Sequence, residues 1–162
     1  MKKLSIVRFV KLTDGMIHKF LHTDNLKATI LIRLMVGLVF LSEGIQKFLF
    51  PALRGTGRFE DIGLPSPEFL GSFVGTFEII CGSLVLLGLF TRFASIPLII
   101  IMLVAISTTK VDILAEKGLW EMLHASRTDW AMLLACIFLL IRGSGNWSFD
   151  KVLFSNSKNR YK

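Results

Sequence analysis

Apolar residues run along this chain in long blocks, with no alternation of the strand type. Four blocks approach the roughly 20 residues that a helix needs to cross a bilayer. They are Ala28–Phe50, Glu68–Phe90, the shorter Phe93–Thr109, and a fourth over 127–143 whose core is Asp129–Arg142. Residues 1–27 and 144–162 lie outside them. The pattern predicts an all-α protein, an integral membrane four-helix bundle with antiparallel up-down topology. The linker "LFTRF" between the second and third blocks is short enough to make them a helical hairpin. The first long loop, "PALRGTGRFEDIGLPSPE", is rich in Gly and Pro and reads as irregular. The second, "KVDILAEKGLWEMLHASRTDW", is too polar to span and suits an interface, with Trp120 and Trp130 as belt residues. No internal repeat or second domain is visible, and no span looks broken into half-helices.

Composition agrees. Of 162 residues, 52% are hydrophobic and 19% charged, with mean hydropathy +0.61. That leaves too little polar sequence to solvate a soluble bundle around such helices. Residues 1–27 are not a signal peptide, because Arg8, Lys11, Asp14, Lys19 and Asp24 interrupt any apolar core. This segment reads as a basic interfacial stretch or a solvated tail, and 144–162 as a basic tail.

Charge sets the expected orientation. With both termini on one side, that side carries Lys2, Lys3, Arg8, Lys11, Lys19, Lys27, Arg92, Arg142, Lys151, Lys158, Arg160 and Lys162. The opposite loops carry Arg54, Arg58, Lys110, Lys117 and Arg127, together with Glu60, Asp61, Glu68, Asp112, Glu116 and Glu121. The positive-inside rule then puts both termini in the cytoplasm. Attraction to anionic lipid accounts for the net charge of +7, and no nucleic-acid partner is expected.

Polar residues inside the blocks carry the candidate chemistry. In "LVFLSEGIQKFLFP", an acid, an amide and a base interrupt a lipid-compatible run. At about 100° per residue, Arg33, Gly37, Phe40, Glu43, Gly44 and Lys47 share one helical face of about 120°. Gly71, Gly75, Glu78 and Gly82 form a stripe on the second span, and the GxxxG of "GSFVG" permits close helix approach within one bundle or between two copies. Asp129 lies near the outer end of the fourth span, aligned with Leu133, Cys136 and Leu140. Intramembrane charges persist when they pair or line a wet cavity. Two readings follow: a clasp in which Glu43–Lys47 and Arg33–Glu78 merely hold the helices, or a polar pocket in which Arg33, Glu43, Lys47, Glu78 and Asp129 bind a ligand headgroup or relay protons.

Other groups add little. Cys81 and Cys136 fall inside spans without a CxxC motif and read as small hydrophobes. His18 and His22, spaced i, i+4, lack a third ligand and read as a surface pair. His124 reads as an interfacial residue, and Met35, Met102, Met122 and Met132 as packing. No metal site is expected, and no haem, flavin or iron–sulfur ligand pattern is present.

At these positions the chain resembles the DoxX family of small bacterial membrane proteins, over roughly residues 28–153. The resemblance rests on Arg33, Gly37, Phe40, Gly44 and Lys47 in the first span and on Gly75, Glu78 and Gly82 in the second. Leu87, Gly88, Thr91 and Arg92 of "LGLFTR", Met102 and Ala105, and Gly143, Gly145, Ser148 and Asp150 of "GSGNWSFD" complete it. Glu43 stands where the family more often has a small, apolar or His residue. The resemblance implies a four-helix bundle in the bacterial inner membrane and a redox link, since relatives include small subunits of thiosulfate:quinone oxidoreductases. With no intrinsic cofactor, the chain would then present a quinone-like molecule to a membrane or soluble oxidoreductase partner. Lys47 or Arg33 would bind a carbonyl oxygen, and Glu78, with Glu43 or Asp129, would supply protons. The reading from another class is a non-catalytic scaffold or small-solute carrier. Whether the chain has catalytic activity of its own, and whether it forms a homo-oligomer, stay open.

Overall fold

A computed structural model describes residues 26–155; the expectations for 1–25, including His18 and His22, and for 156–162 lie outside them. Among the described residues every element is helical: α1 (Thr29–Leu49), α2 (Pro51–Arg54), α3 (Thr56–Asp61), α4 (Pro67–Leu87), α5 (Thr91–Thr109), α6 (Val111–Lys117), α7 (Leu119–Ala125), α8 (Arg127–Arg142) and α9 (Phe149–Ser155). The helices α1, α4 and α5 are long and apolar enough to cross a membrane. The fold is an integral membrane helical bundle. Around its core, α1 packs on α4, α4 on α5, α5 on α8, and α8 back on α1. Val36, Phe40, Val85, Leu98, Cys136 and Leu139 meet at the centre.

The fourth span has its expected bounds but is short. The 16-residue α8 reaches about 24 Å, short of a hydrocarbon core of about 30 Å. It passes as a span only together with α7, from which it is bent by 62°. Ser126 sits at the break. Its hydroxyl donates to the Met122 carbonyl at 2.6 Å, and Arg127 donates to the His124 carbonyl at 2.9 Å, so the turn is satisfied from within.

The α1–α4 seam is closed by glycine. A Cβ at Gly44 would lie 2.7 Å from the Gly75 carbonyl oxygen, and one at Gly82 would lie 2.8 Å from the Leu41 amide nitrogen. Gly37 faces the Gly82 carbonyl in the same way. The GxxxG therefore serves packing within the chain. Gly71 belongs to a different contact, because a Cβ there would meet Thr56 at the start of α3. The first loop is accordingly not irregular. Pro51 opens α2 at a first-turn position that tolerates proline, and Gly55 lets α3 fold back against the Lys47 carbonyl.

At the opposite end Arg33 ties the chain together. Only 3% exposed, its guanidinium donates to the carbonyls of Val85 at 2.9 Å, Leu86 at 2.6 Å, Ser144 at 3.1 Å and Trp147 at 2.5 Å. Gly88 ends α4 in the left-handed region (φ 68°), and a side chain there would collide with that guanidinium. The Asp150 carboxylate accepts from the amides of Phe90 at 2.7 Å and Thr91 at 3.2 Å, capping α5 from the far end of the sequence. Ser144, Ser148 and Asp150 are buried, so the segment read from sequence as the start of a tail is part of the bundle.

Two outcomes are expected from thermal unfolding in detergent. Gly44→Ala must push the seam apart and should cost about 1–3 kcal/mol. Arg33→Lys cannot serve four carbonyls and should cost about 3 kcal/mol or more, with earlier proteolysis beyond residue 143.

Candidate functional site

Helix α1 carries Lys47 in its last turn, in line with its buried face, and α4 carries Glu78 at mid-length. The glycine seam brings them together. Lys47 Nζ donates to Glu78 Oε2 at 2.6 Å, with side chains 11% and 5% exposed. A buried pair this short stands only because each charge neutralises the other.

The pair faces a cavity of about 490 Å³, in the size range of small-molecule sites. All four helix positions contribute to it: Phe40, Glu43 and Lys47 from α1, Val74 and Glu78 from α4, Met102 and Thr108 from α5, Asp129 and Met132 from α8. Most of the wall is apolar. Glu43, one turn before Lys47, also lines the cavity, so two acids and one base border the same space. Asp129 pairs with Lys110 at 3.2 Å at the cavity's edge. The Glu43–Lys47 clasp expected along one helix is thus replaced by a bridge between helices.

Arg33 stands apart. It lies about 21 Å from Lys47 along α1, and its hydrogen bonds go to main-chain carbonyls. It neither pairs with Glu78 nor lines the cavity, which contradicts the expectation that Arg33, Lys47 and Glu78 converge. The physical reason is the cluster of helix-end carbonyls from α4 and the 143–147 turn, whose several acceptors satisfy a five-donor guanidinium more fully than one carboxylate would.

The sequence reading also missed the cavity's cover. Arg54 and Arg58 line its rim, and Phe59, Ile62 and Leu64 lie over it. The one signal was Pro51 as a helix start; the glycines at 55 and 57 masked the rest. Among the described residues no group of three His, Cys, Asp or Glu side chains is placed to hold a metal.

The DoxX family model matches residues 28–111, the part of the chain that supplies Glu43, Lys47 and Glu78. The chain is similar to "Uncharacterized membrane protein Rv3486" of Mycobacterium tuberculosis, with 52% identity covering 83% of this chain and 86% of that protein. It is also similar to "Putative oxidoreductase CatD" of Bacillus subtilis, with 31% identity covering 81% of this chain and 90% of that protein. No solved structure matches it significantly.

A double-mutant cycle separates pairing from burial. Lys47→Met alone strands Glu78 and should destabilise by about 3–5 kcal/mol, whereas Lys47→Met with Glu78→Leu should recover most of that loss. Chemical or thermal denaturation in detergent reads both.

Proposed function

The chain belongs to the DoxX family of membrane proteins, and from that premise we propose that it is an accessory subunit of a membrane redox assembly that binds a quinone-like ring in the Lys47–Glu78 cavity. The bacterial inner membrane, with both termini in the cytoplasm, is the setting that the charge bias supports. The single observation that carries the reading is the cavity itself. A buried ion pair opens onto about 490 Å³ of mostly apolar space, with a second carboxylate, Glu43, beside it. The name of the Bacillus relative points the same way.

The residues fit the task. The Lys47 ammonium has three donors and spends one on Glu78, so it can also donate to a carbonyl oxygen in the cavity. Apolar walls at Phe40, Val74 and Met132 hold a flat ring and exclude water. Glu78 and Glu43 place two carboxyl groups on the same cavity as the ring, from which protons can be passed to it on reduction. When bound, a quinone would supply the electron-accepting couple, and this chain would orient it and manage protons. Electrons would come from a partner oxidoreductase.

The 2.6 Å bond by itself would also serve a purely structural clasp in a scaffold protein. Binding separates the two. Protein purified from membranes in mild detergent should carry quinone detectable by mass, and the stability-compensated double variant Lys47→Met with Glu78→Leu should lose it while remaining folded. Quinone-free wild-type protein that also fails to bind added quinone would favour the scaffold.

A further inference from the structure

The cavity's cover and its side wall differ in kind. Phe59, Ile62 and Leu64, from the segment between α1 and α4, line the loop end, where Gly71 lets Thr56 approach α4 closely. Between α1 and α4 the glycine seam is shut. Among the described residues, the α4–α5 boundary carries no such glycine contacts. These helices are joined tightly at Gly88–Phe90, where Leu89 N donates to the Leu84 carbonyl at 2.9 Å and Asp150 caps α5. Toward the loop end α5 is less buried. The buried residues of α5 are Thr91, Ala94, Ser95, Leu98 and Met102, and none follows Met102. Three side chains flanking this boundary both line the cavity and stand exposed: Phe73 at 47%, Ile100 at 56% and Val104 at 47%. Exposure alone is ordinary on a membrane helix. Here the same side chains also wall a space that ends on an ion pair.

We infer that the cavity opens sideways into the hydrocarbon between α4 and α5, and that it admits a lipid-dissolved amphiphile whose oxygen-bearing head reaches Lys47 and Glu78 while its hydrocarbon tail lies between Phe73 and Val104. This rests on the proposed binding role of the cavity and names its route and ligand class. The chemistry of the gap selects the occupant. Leu70, Phe73 and Val74 of α4 and Ile100, Ile101 and Val104 of α5 all line the cavity, with no charged side chain among them. A water-soluble ion taking this path would shed its hydration against hydrocarbon, whereas a lipophilic molecule already in the bilayer loses nothing. The head then meets the polar groups only at the inner end.

Acyl chains themselves report the opening. Full-length protein in vesicles is photolabelled by a phospholipid carrying a diazirine on its acyl chain, and labelled peptides are mapped by mass spectrometry. Met102 and Met132 line the cavity yet are only 8% and 4% exposed. The opening predicts label on both, besides label on outward residues such as Leu103. Val104→Trp should narrow the gap and remove label from Met102 and Met132 while Leu103 keeps it. Label confined to outward residues in the wild type overturns the inference, and so does interior label that Val104→Trp leaves unchanged. Titration with a long-tailed quinone and with a tail-less ring analogue distinguishes this from the parent reading. Interior labelling without binding of either quinone retains the opening and removes the quinone role. Binding of the tail-less ring without interior labelling retains the ring site and removes the opening.

Discussion

Backbone-to-backbone contact between α1 and α4 is the constraint from which the site follows. In a bilayer, apolar side chains gain little by leaving lipid for protein, so helices associate through close packing and internal hydrogen bonds. Gly37, Gly44, Gly75 and Gly82 supply that packing, with no room for a Cβ at Gly44, where one would lie 2.7 Å from the Gly75 carbonyl. Seam and site are one object. A side chain at Gly75 would press on the Lys47 Cβ at 3.3 Å, and Lys47 reaches Glu78 at 2.6 Å only because the two axes are this close. Separate the helices by the width of a methyl group and two charges are left apart in hydrocarbon.

The two buried cations of α1 have opposite fates, and the difference is one of donors against acceptors. Arg33 meets the frayed carbonyl end of α4 and the 143–147 turn, and its donors are spent on four main-chain oxygens. Such a group locks a structure and has little left for a ligand. Lys47 meets a single carboxylate and a cavity, so it retains donors aimed at open space. The bundle is therefore stitched at one end, where Asp150 and Ser148 draw the tail into the fold, and left hollow at the other.

Much of this was legible in the residue pattern. The apolar blocks located α1, α4, α5 and α8, because spanning helices must satisfy their backbone internally and so advertise themselves by length. The wheel that put Gly37, Gly44 and Lys47 on one face, and Gly75, Glu78 and Gly82 on another, described the seam before any contact was known. Three things were not legible. Arg33 could not be assigned a partner, since its acceptors are carbonyls that every residue carries. The helices α2 and α3 were hidden by glycines that signal loops in isolation and here allow close approach. The boundary at Ser126 was legible, because the polar second loop gives way to the fourth block at 127; the 62° angle between α7 and α8 was not, since a hydroxyl returning to the Met122 carbonyl is a local choice among many open to serine.

The sign and depth of the charges bear on what kind of head the cavity receives. At its inner end Glu43 and Glu78 confront one ammonium, so an added anion would meet two carboxylates for a single cation. Arg54 and Arg58 do not reverse this, because both are exposed on the rim, where water and headgroups screen them. A cation would fare better beside the acids but would have to cross the apolar residues of α4 and α5 or displace the cover. Asp129, the remaining acid, is engaged by Lys110. A neutral group with hydrogen-bond acceptors avoids each cost. It passes hydrocarbon without shedding a charge, accepts from Lys47, and leaves the Lys47–Glu78 bond in place.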